Sequence, residues 1–180
     1  SQDHLDYHQN MEQYRKAKLK LFKMVSLDDE NFNLVNMDDS NAKYFMESSN
    51  ARTFTYGINE TADVQAINID ISLKGTSFVV KYQDNEFKIN MKLVGLFSIY
   101  NALAAIALAL KENIEPEIIK RALEKVSGVP GRFEQVDCGQ EFSVIVDYAH
   151  TPDGLENILK TTKQIVENRI ITVFGCGGDR

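Results

Sequence analysis

Cysteine is almost missing from this chain, which has only Cys138 and Cys176 among its 180 residues. The two lie far apart and fit no metal-ligand or redox spacing, so neither a metal module nor a redox pair is indicated. Both read as packing residues, and a reducing cytoplasm is the expected setting. Long apolar runs are missing too. None approaches the length of a bilayer span and no secretory signal opens the chain, so no membrane partner is indicated. An excess of basic charge is also lacking: 20 Lys and Arg face 26 Asp and Glu, for a net charge of −6. Without a basic stripe, nucleic acid is excluded as a partner, but a nucleotide, which needs only a few donors, is not. Internal repeats and low-complexity tracts do not occur.

What is present suffices for a packed core, since 43% of residues are hydrophobic in a length that suits one or two domains. "MEQYRKAKLKLF", residues 11–22, predicts an amphipathic helix. At about 100° per residue, Met11, Tyr14, Leu21, Phe22 and Val25 gather on one face, with Lys16, Lys20 and Lys23 opposite. Lys18 projects into the apolar stripe, where a snorkelling stem would bury its methylenes and keep its head wet. "FNLVNMDD" predicts a short strand ending in two acids. The stretch from Ala62 to Leu93 alternates apolar and polar residues, with Ile67, Ile69, Ile71 and Leu73 on one face. Gly75 and "QDNE" punctuate it, so an antiparallel meander is expected. "SIYNALAAIALALKEN" and "EPEIIKRALEKV" predict helices, the second with Pro116 near its first turn.

"SGVPGRF", residues 127–133, marks the clearest boundary, because two glycines and a proline describe a linker. It divides the chain into domains 1–127 and 128–180. Beyond it, "FSVIVDYA" predicts an apolar strand, "TPDGLENILKTTKQIVEN" a helix capped by Thr151, and "RIITVFG" a second buried strand. Strand, helix, strand is the parallel crossover of a Rossmann-like sheet, so the fold class is α/β. Neither end looks finished: the chain lacks a start methionine and stops at "VFGCGGDR", inside a strand-to-loop junction. An internal segment of a longer protein is expected.

Three stretches carry possible chemistry. His4, Asp6 and His8 crowd "QDHLDYH", which a polar loop with a capping aspartate would also explain. Asp147 and His150 fall where a Rossmann-type strand ends, the place where such sheets bind ligands, although an Asp and a Thr capping the next helix would look the same. "GCGGDR" is only loosely like a phosphate loop, since it lacks the Walker spacing and a following lysine.

In order and spacing, "QDHLDYH", "ME.Y..AK.KLF", "VN.DD", "G.F..YN.LAA..LA", "GVPGRFE", "VDYAHTPDGLE" and "VFGCGGDR" closely resemble the Mur ligases, which build the peptide stem of bacterial cell walls. The resemblance runs through essentially the whole chain and is strongest from Gly128 to Arg180. It implies that residues 1–127 are the later part of the central ATP-binding domain and 128–180 the opening of the Rossmann-like C-terminal domain. It also implies ATP and Mg²⁺ as cofactors, and an amide ligase working through an acyl phosphate. Within the family the strings are most similar to the branch that joins a diamino acid to a UDP-N-acetylmuramoyl-dipeptide, and "GCGGDR" leans toward meso-diaminopimelate rather than L-lysine. A folylpolyglutamate synthase-like ligase and a non-catalytic nucleotide-binding module are the alternatives. A monomer is the family default.

The resemblance assigns roles residue by residue. Lys18 matches a lysine that carbon dioxide converts to a carbamate, an oxygen ligand that suits a hard cation. Burial would favour the neutral amine this needs. His4 matches a Mg²⁺ ligand. Asn101 matches an asparagine near adenine, where a helix N-cap is the structural alternative. Arg132 matches a phosphate-contacting arginine, with pairing to Glu134 or Asp137 as the alternative. Asp147 matches the ribose-binding aspartate, and His150 lies beside the nucleotide in the same loop. The chain departs from the pattern at Gln9 and Asn10, where the family usually has Gly-Thr, and at Ser98, where it usually has Asn. The Walker loop, a metal-binding glutamate and the loop that selects the amino acid occur nowhere in it. By itself, therefore, this segment is expected to show little or no ligase activity.

Overall fold

In the computed structural model, residue 8 and residues 10–175 are described. Strands β1 (Phe32–Asn36), β2 (Arg52–Gly57), β3 (Val64–Ser72), β4 (Gly75–Tyr82) and β5 (Asn85–Met91) form one sheet in that order. The first three run parallel, and β3, β4 and β5 double back as the expected antiparallel meander. The shared face expected for Ile67, Ile69 and Ile71 is broken. Val64 and Ala66 are buried, and then a bulge between Ile67 and Asp70, with Asn68 at φ +52°, shifts the alternation by one. Ile69 and Ile71 therefore reach the core while Ile67 points to the other face.

Helix α3 (Leu96–Lys111) lies across the sheet, and α4 (Pro116–Lys125) packs beside β5. Phe78, Val80 and Ile89 from the strands meet Ile99, Leu103 and Ile106 from α3, all fully buried. Each such side chain contributes about 1.5–3 kcal/mol by leaving water. Pro116 sits at the start of α4, where its missing N–H costs no hydrogen bond.

Helix α1 (Met11–Met24) is capped by Asn10, whose side chain accepts from the Gln13 N–H at 2.9 Å. Its packed side differs from the expected one. Met11 and Leu21 are exposed, Lys18 is exposed rather than set into a buried stripe, and Leu19 is the buried residue. The seam runs through Arg15, Leu19 and Phe22, spaced i, i+4, i+7, against α2 (Ala42–Ser48). Phe22 packs on Phe45 with ring centroids 4.9 Å apart. The Arg15 guanidinium lies 4.1 Å from the Tyr44 centroid and donates to Asn41 Oδ1 at 3.3 Å. An arginine that stacks on an aromatic ring does the work of an apolar residue, which turns the buried face away from Lys18.

Past the linker, β6 (Glu134–Val136) and β7 (Val144–Val146) pair antiparallel, followed by α5 (Pro152–Ile165). As expected, Thr151 caps α5, its Oγ1 accepting from the Gly154 N–H at 3.2 Å. The second buried strand is not formed among the described residues: 169–175 carry no strand, and Ile171, Val173 and Phe174 are 73%, 94% and 72% exposed. A parallel crossover sheet needs both faces covered, and the described residues supply only α5. Cys138 is exposed rather than packed, and Cys176 lies outside the described residues. No helix among the described residues is long and apolar enough to cross a membrane.

The two parts meet at Gly95. At φ +98°, a Cβ there would stand 2.8 Å from the Phe97 ring and 3.0 Å from the Thr161 methyl of α5. Only glycine lets the start of α3 and the middle of α5 approach this closely.

Candidate functional site

The linker folds as a tight turn because its residues demand one. Pro130 presets the second position, Gly131 takes φ +67° at the third, and the Arg132 N–H donates to Val129 O at 3.0 Å. Phe133 follows at φ +45°, an uncommon conformation for a non-glycine residue, with its ring buried against Phe97 at 6.3 Å between centroids. Its N–H donates to Asp147 Oδ2 at 2.8 Å, which offsets that strain. Asp147 Oδ1 accepts from the Ala149 N–H at 2.8 Å, and the Tyr148 N–H donates to Gly131 O at 2.7 Å. Arg132 is thus held between two anchored neighbours.

Its guanidinium lies 5.4 Å from the Tyr148 ring centroid, and the Tyr148 and His150 rings meet edge-on at 4.9 Å. His150 Nδ1 is 2.9 Å from Tyr148 O. Arg132, Asp147 and His150 therefore come together on one frame. Pairing of Arg132 with an acid is not what holds it: Glu134 accepts the Gly131 N–H and Asp137 the Gly139 N–H, and Arg132 joins no ion pair among the described residues. Asn101 is exposed within α3, well past its Gly95 cap, so it does not start the helix. It follows Phe97 by one turn, which sets it on the helix face where Phe97 meets Phe133.

Lys18 belongs to a different cluster. Its Nζ stands 5.4 Å from the Tyr14 centroid, and Tyr14 lies 5.2 Å from the His8 ring. His4 lies outside the described residues. Among the described residues no group of three His, Cys, Asp or Glu side chains could hold a metal ion. An ammonium is no ligand, so Lys18 could serve Mg²⁺ only as a carbamate, and the burial expected to favour its neutral amine is not found, since Lys18 is exposed.

One group escaped prediction as a partner-holding residue. Asp38, just past β1, accepts from the N–H groups of Ile58 at 2.6 Å, Asn59 at 3.1 Å and Glu60 at 2.8 Å, and from the Tyr100 hydroxyl at 2.8 Å. Burial pushes its carboxyl upward, but the donors outweigh burial and hold it below the usual range. Burial first, and then the carboxylate, push the Tyr100 hydroxyl up to about 12. The residue next to Asn101 is therefore pinned to the carboxyl end of a parallel strand. A cleft of about 410 Å³ opens beside it, lined by Asp38, Asp39, Lys43, Asn59 and Glu60. The paired acids after "NLVN" were the available signal.

Residues 1–109 match the family model described as the Mur ligase middle domain, and residues 131–180 match that of the Mur ligase glutamate ligase domain. The chain belongs to the Mur ligase family. A UDP-N-acetylmuramoyl-L-alanyl-D-glutamate–2,6-diaminopimelate ligase of Syntrophomonas wolfei subsp. wolfei is 57% identical over 180 residues, covering 100% of this chain and 37% of that relative. A solved structure of a ligase with that same activity name is 36% identical, with a TM-score of 0.77, over 100% of this chain and 37% of its own. The ADP complex of a MurF ligase from Thermotoga maritima, 17% identical, shares the fold at a TM-score of 0.73 over 88% of this chain and 36% of its own. The chain thus spans a little over a third of the length of the relatives it matches.

Proposed function

We propose that this chain is part of an ATP-dependent amide ligase that adds meso-diaminopimelate to UDP-N-acetylmuramoyl-L-alanyl-D-glutamate in cytoplasmic peptidoglycan synthesis, acting as a monomer. The observation that carries the reading is the linker cluster: a guanidinium, a carboxylate and an imidazole, drawn from both sides of the turn and fixed by backbone hydrogen bonds. The name borne by a relative 57% identical over the whole chain supports the choice of substrates. We take residues 1–127 as the end of the central domain and 128–180 as the start of the C-terminal one.

In this reading Arg132 contacts the nucleotide phosphates, for which a planar guanidinium is suited. Each Asp147 oxygen already accepts one N–H and keeps a lone pair for a ribose hydroxyl. His150 lies beside the nucleotide, and Asn101 offers adenine both a donor and an acceptor. The free carboxylate of the dipeptide attacks the γ-phosphorus of ATP, ADP leaves, and an acyl phosphate forms. The amine of the diamino acid then adds to the acyl carbon, loses a proton and expels phosphate to leave the amide. The chain's contribution is positioning and charge neutralisation. Lys18, as a carbamate, and His4 would hold Mg²⁺, which would supply neutralisation of phosphate charge.

Phosphate release by the full-length protein tests this. Turnover should require ATP, the UDP-sugar dipeptide and meso-diaminopimelate together. Nucleotide binding without turnover, or equal rates with L-lysine, would contradict the proposal.

A further inference from the structure

Tyr148 stands out among the exposed large side chains: 64% of it is open to solvent, yet it touches two of the residues read as nucleotide contacts. Its backbone is not free to move. The N–H is bound to Gly131 O at 2.7 Å, and the preceding Asp147 is tied to Phe133 and Ala149. The ring thus projects from a fixed backbone frame. Arg132 sets its guanidinium over one face at 5.4 Å, and His150 meets the ring edge-on at 4.9 Å. Among the described residues no acid pairs with the guanidinium: Glu134, Asp137 and Asp147 accept backbone N–H groups instead. Arg132 itself is exposed. A long exposed side chain without an ion pair samples many rotamers, and each contact that narrows them lowers the cost of meeting a ligand.

We propose that Tyr148 is a positioning residue for the nucleotide: its ring holds the Arg132 guanidinium in its binding arrangement before the phosphates arrive. The proposal rests on the reading of Arg132 as a phosphate contact. A ring is better than a carboxylate for this purpose, because it orients the cation without neutralising it. The full positive charge stays available to an anion.

An exposed cation–π contact changes an equilibrium about two- to fivefold, and a partly desolvated one more. Steady-state phosphate release by the full-length enzyme, with ATP varied, should show KM for ATP raised about three- to tenfold in Tyr148→Leu. Tyr148→Phe, which keeps the ring, should stay within about twofold of the parent. Arg132→Ala should raise KM by more, and Arg132→Ala with Tyr148→Leu should be no worse than Arg132→Ala alone, since the ring has then lost its cation. Should Tyr148→Leu fail to fold, Tyr148→Gln carries the same test. A ring-less variant at parental KM, a Phe variant as weak as Leu, or additive losses in the double variant would overturn the proposal. If Arg132→Ala itself leaves KM for ATP unchanged, the nucleotide reading of Arg132 falls and the positioning role falls with it. If Arg132→Ala raises KM and Tyr148→Leu does not, only the positioning role falls.

Discussion

Tyr100→Phe removes a single oxygen and isolates one bond of the Asp38 hub. The phenol donates to a carboxylate oxygen at 2.8 Å, joining positions 62 apart in sequence. Hydrogen bonds to charged groups contribute about 1.5–3 kcal/mol. Both groups are partly open to water, which replaces some of the lost bond, so the expected cost is about 1–1.5 kcal/mol. For a chain of this size that corresponds to about 3–5 °C in Tm. The pH dependence follows from the two shifts. Tyr100 is raised from 10.0 to about 12, so its stabilisation is complete below pH 10 and is lost as pH climbs toward 12. Asp38 is lowered from 3.8, so its share is present above that value and is lost as pH falls through the folded-state pKa. Urea unfolding of parent and variant should show a constant gap from about pH 5 to 9, closing at both extremes. A gap below about 0.3 kcal/mol at pH 7, or one unchanged up to pH 11.5, would refute the reasoning.

Gly95→Ala forces a Cβ to within 2.8 Å of the Phe97 ring at φ +98°, so a loss of about 1–3 kcal/mol is expected in thermal unfolding. Unchanged Tm would mean that the α3–α5 approach is loose. Thr151→Ala removes the cap of α5 and should cost about 1 kcal/mol, read by the same assay. Lys18→Arg keeps the charge but cannot take up carbon dioxide, so kcat should fall on the order of 10²-fold with the fold intact by circular dichroism. Near-parental turnover would remove the carbamate from the account.

Most of the sheet and four of the five helices were legible because those elements carry their own period and punctuation, whereas α2 and β2 were not foreseen. Alternation marked the meander, alanine and leucine marked α3, and Pro116 and Thr151 marked two helix starts. Failures came where a side chain's role depends on its neighbour. Arg15 reads as a surface cation until Tyr44 lies under it, and that stacking moves the seam of α1 off Lys18. Asn68 reads as an ordinary strand residue, yet its positive φ shifts the register of β3. Apolar "RIITVFG" is strand-like in composition, but a strand needs a partner, and none lies beside it among the described residues. At the candidate site the motif residues were visible as strings. The Phe133 and Tyr148 anchors that frame Arg132 were not, because backbone hydrogen bonds between residues 131–133 and 147–148 leave no trace in residue type.

A crystal structure of the full-length protein with bound ADP puts the nucleotide reading to the most direct test. The account predicts phosphate oxygens within hydrogen-bond distance of the Arg132 guanidinium, ribose hydroxyls on Asp147, and adenine within reach of the Asn101 amide. Density for ADP away from the 131–133 turn, with those side chains facing water, would contradict it.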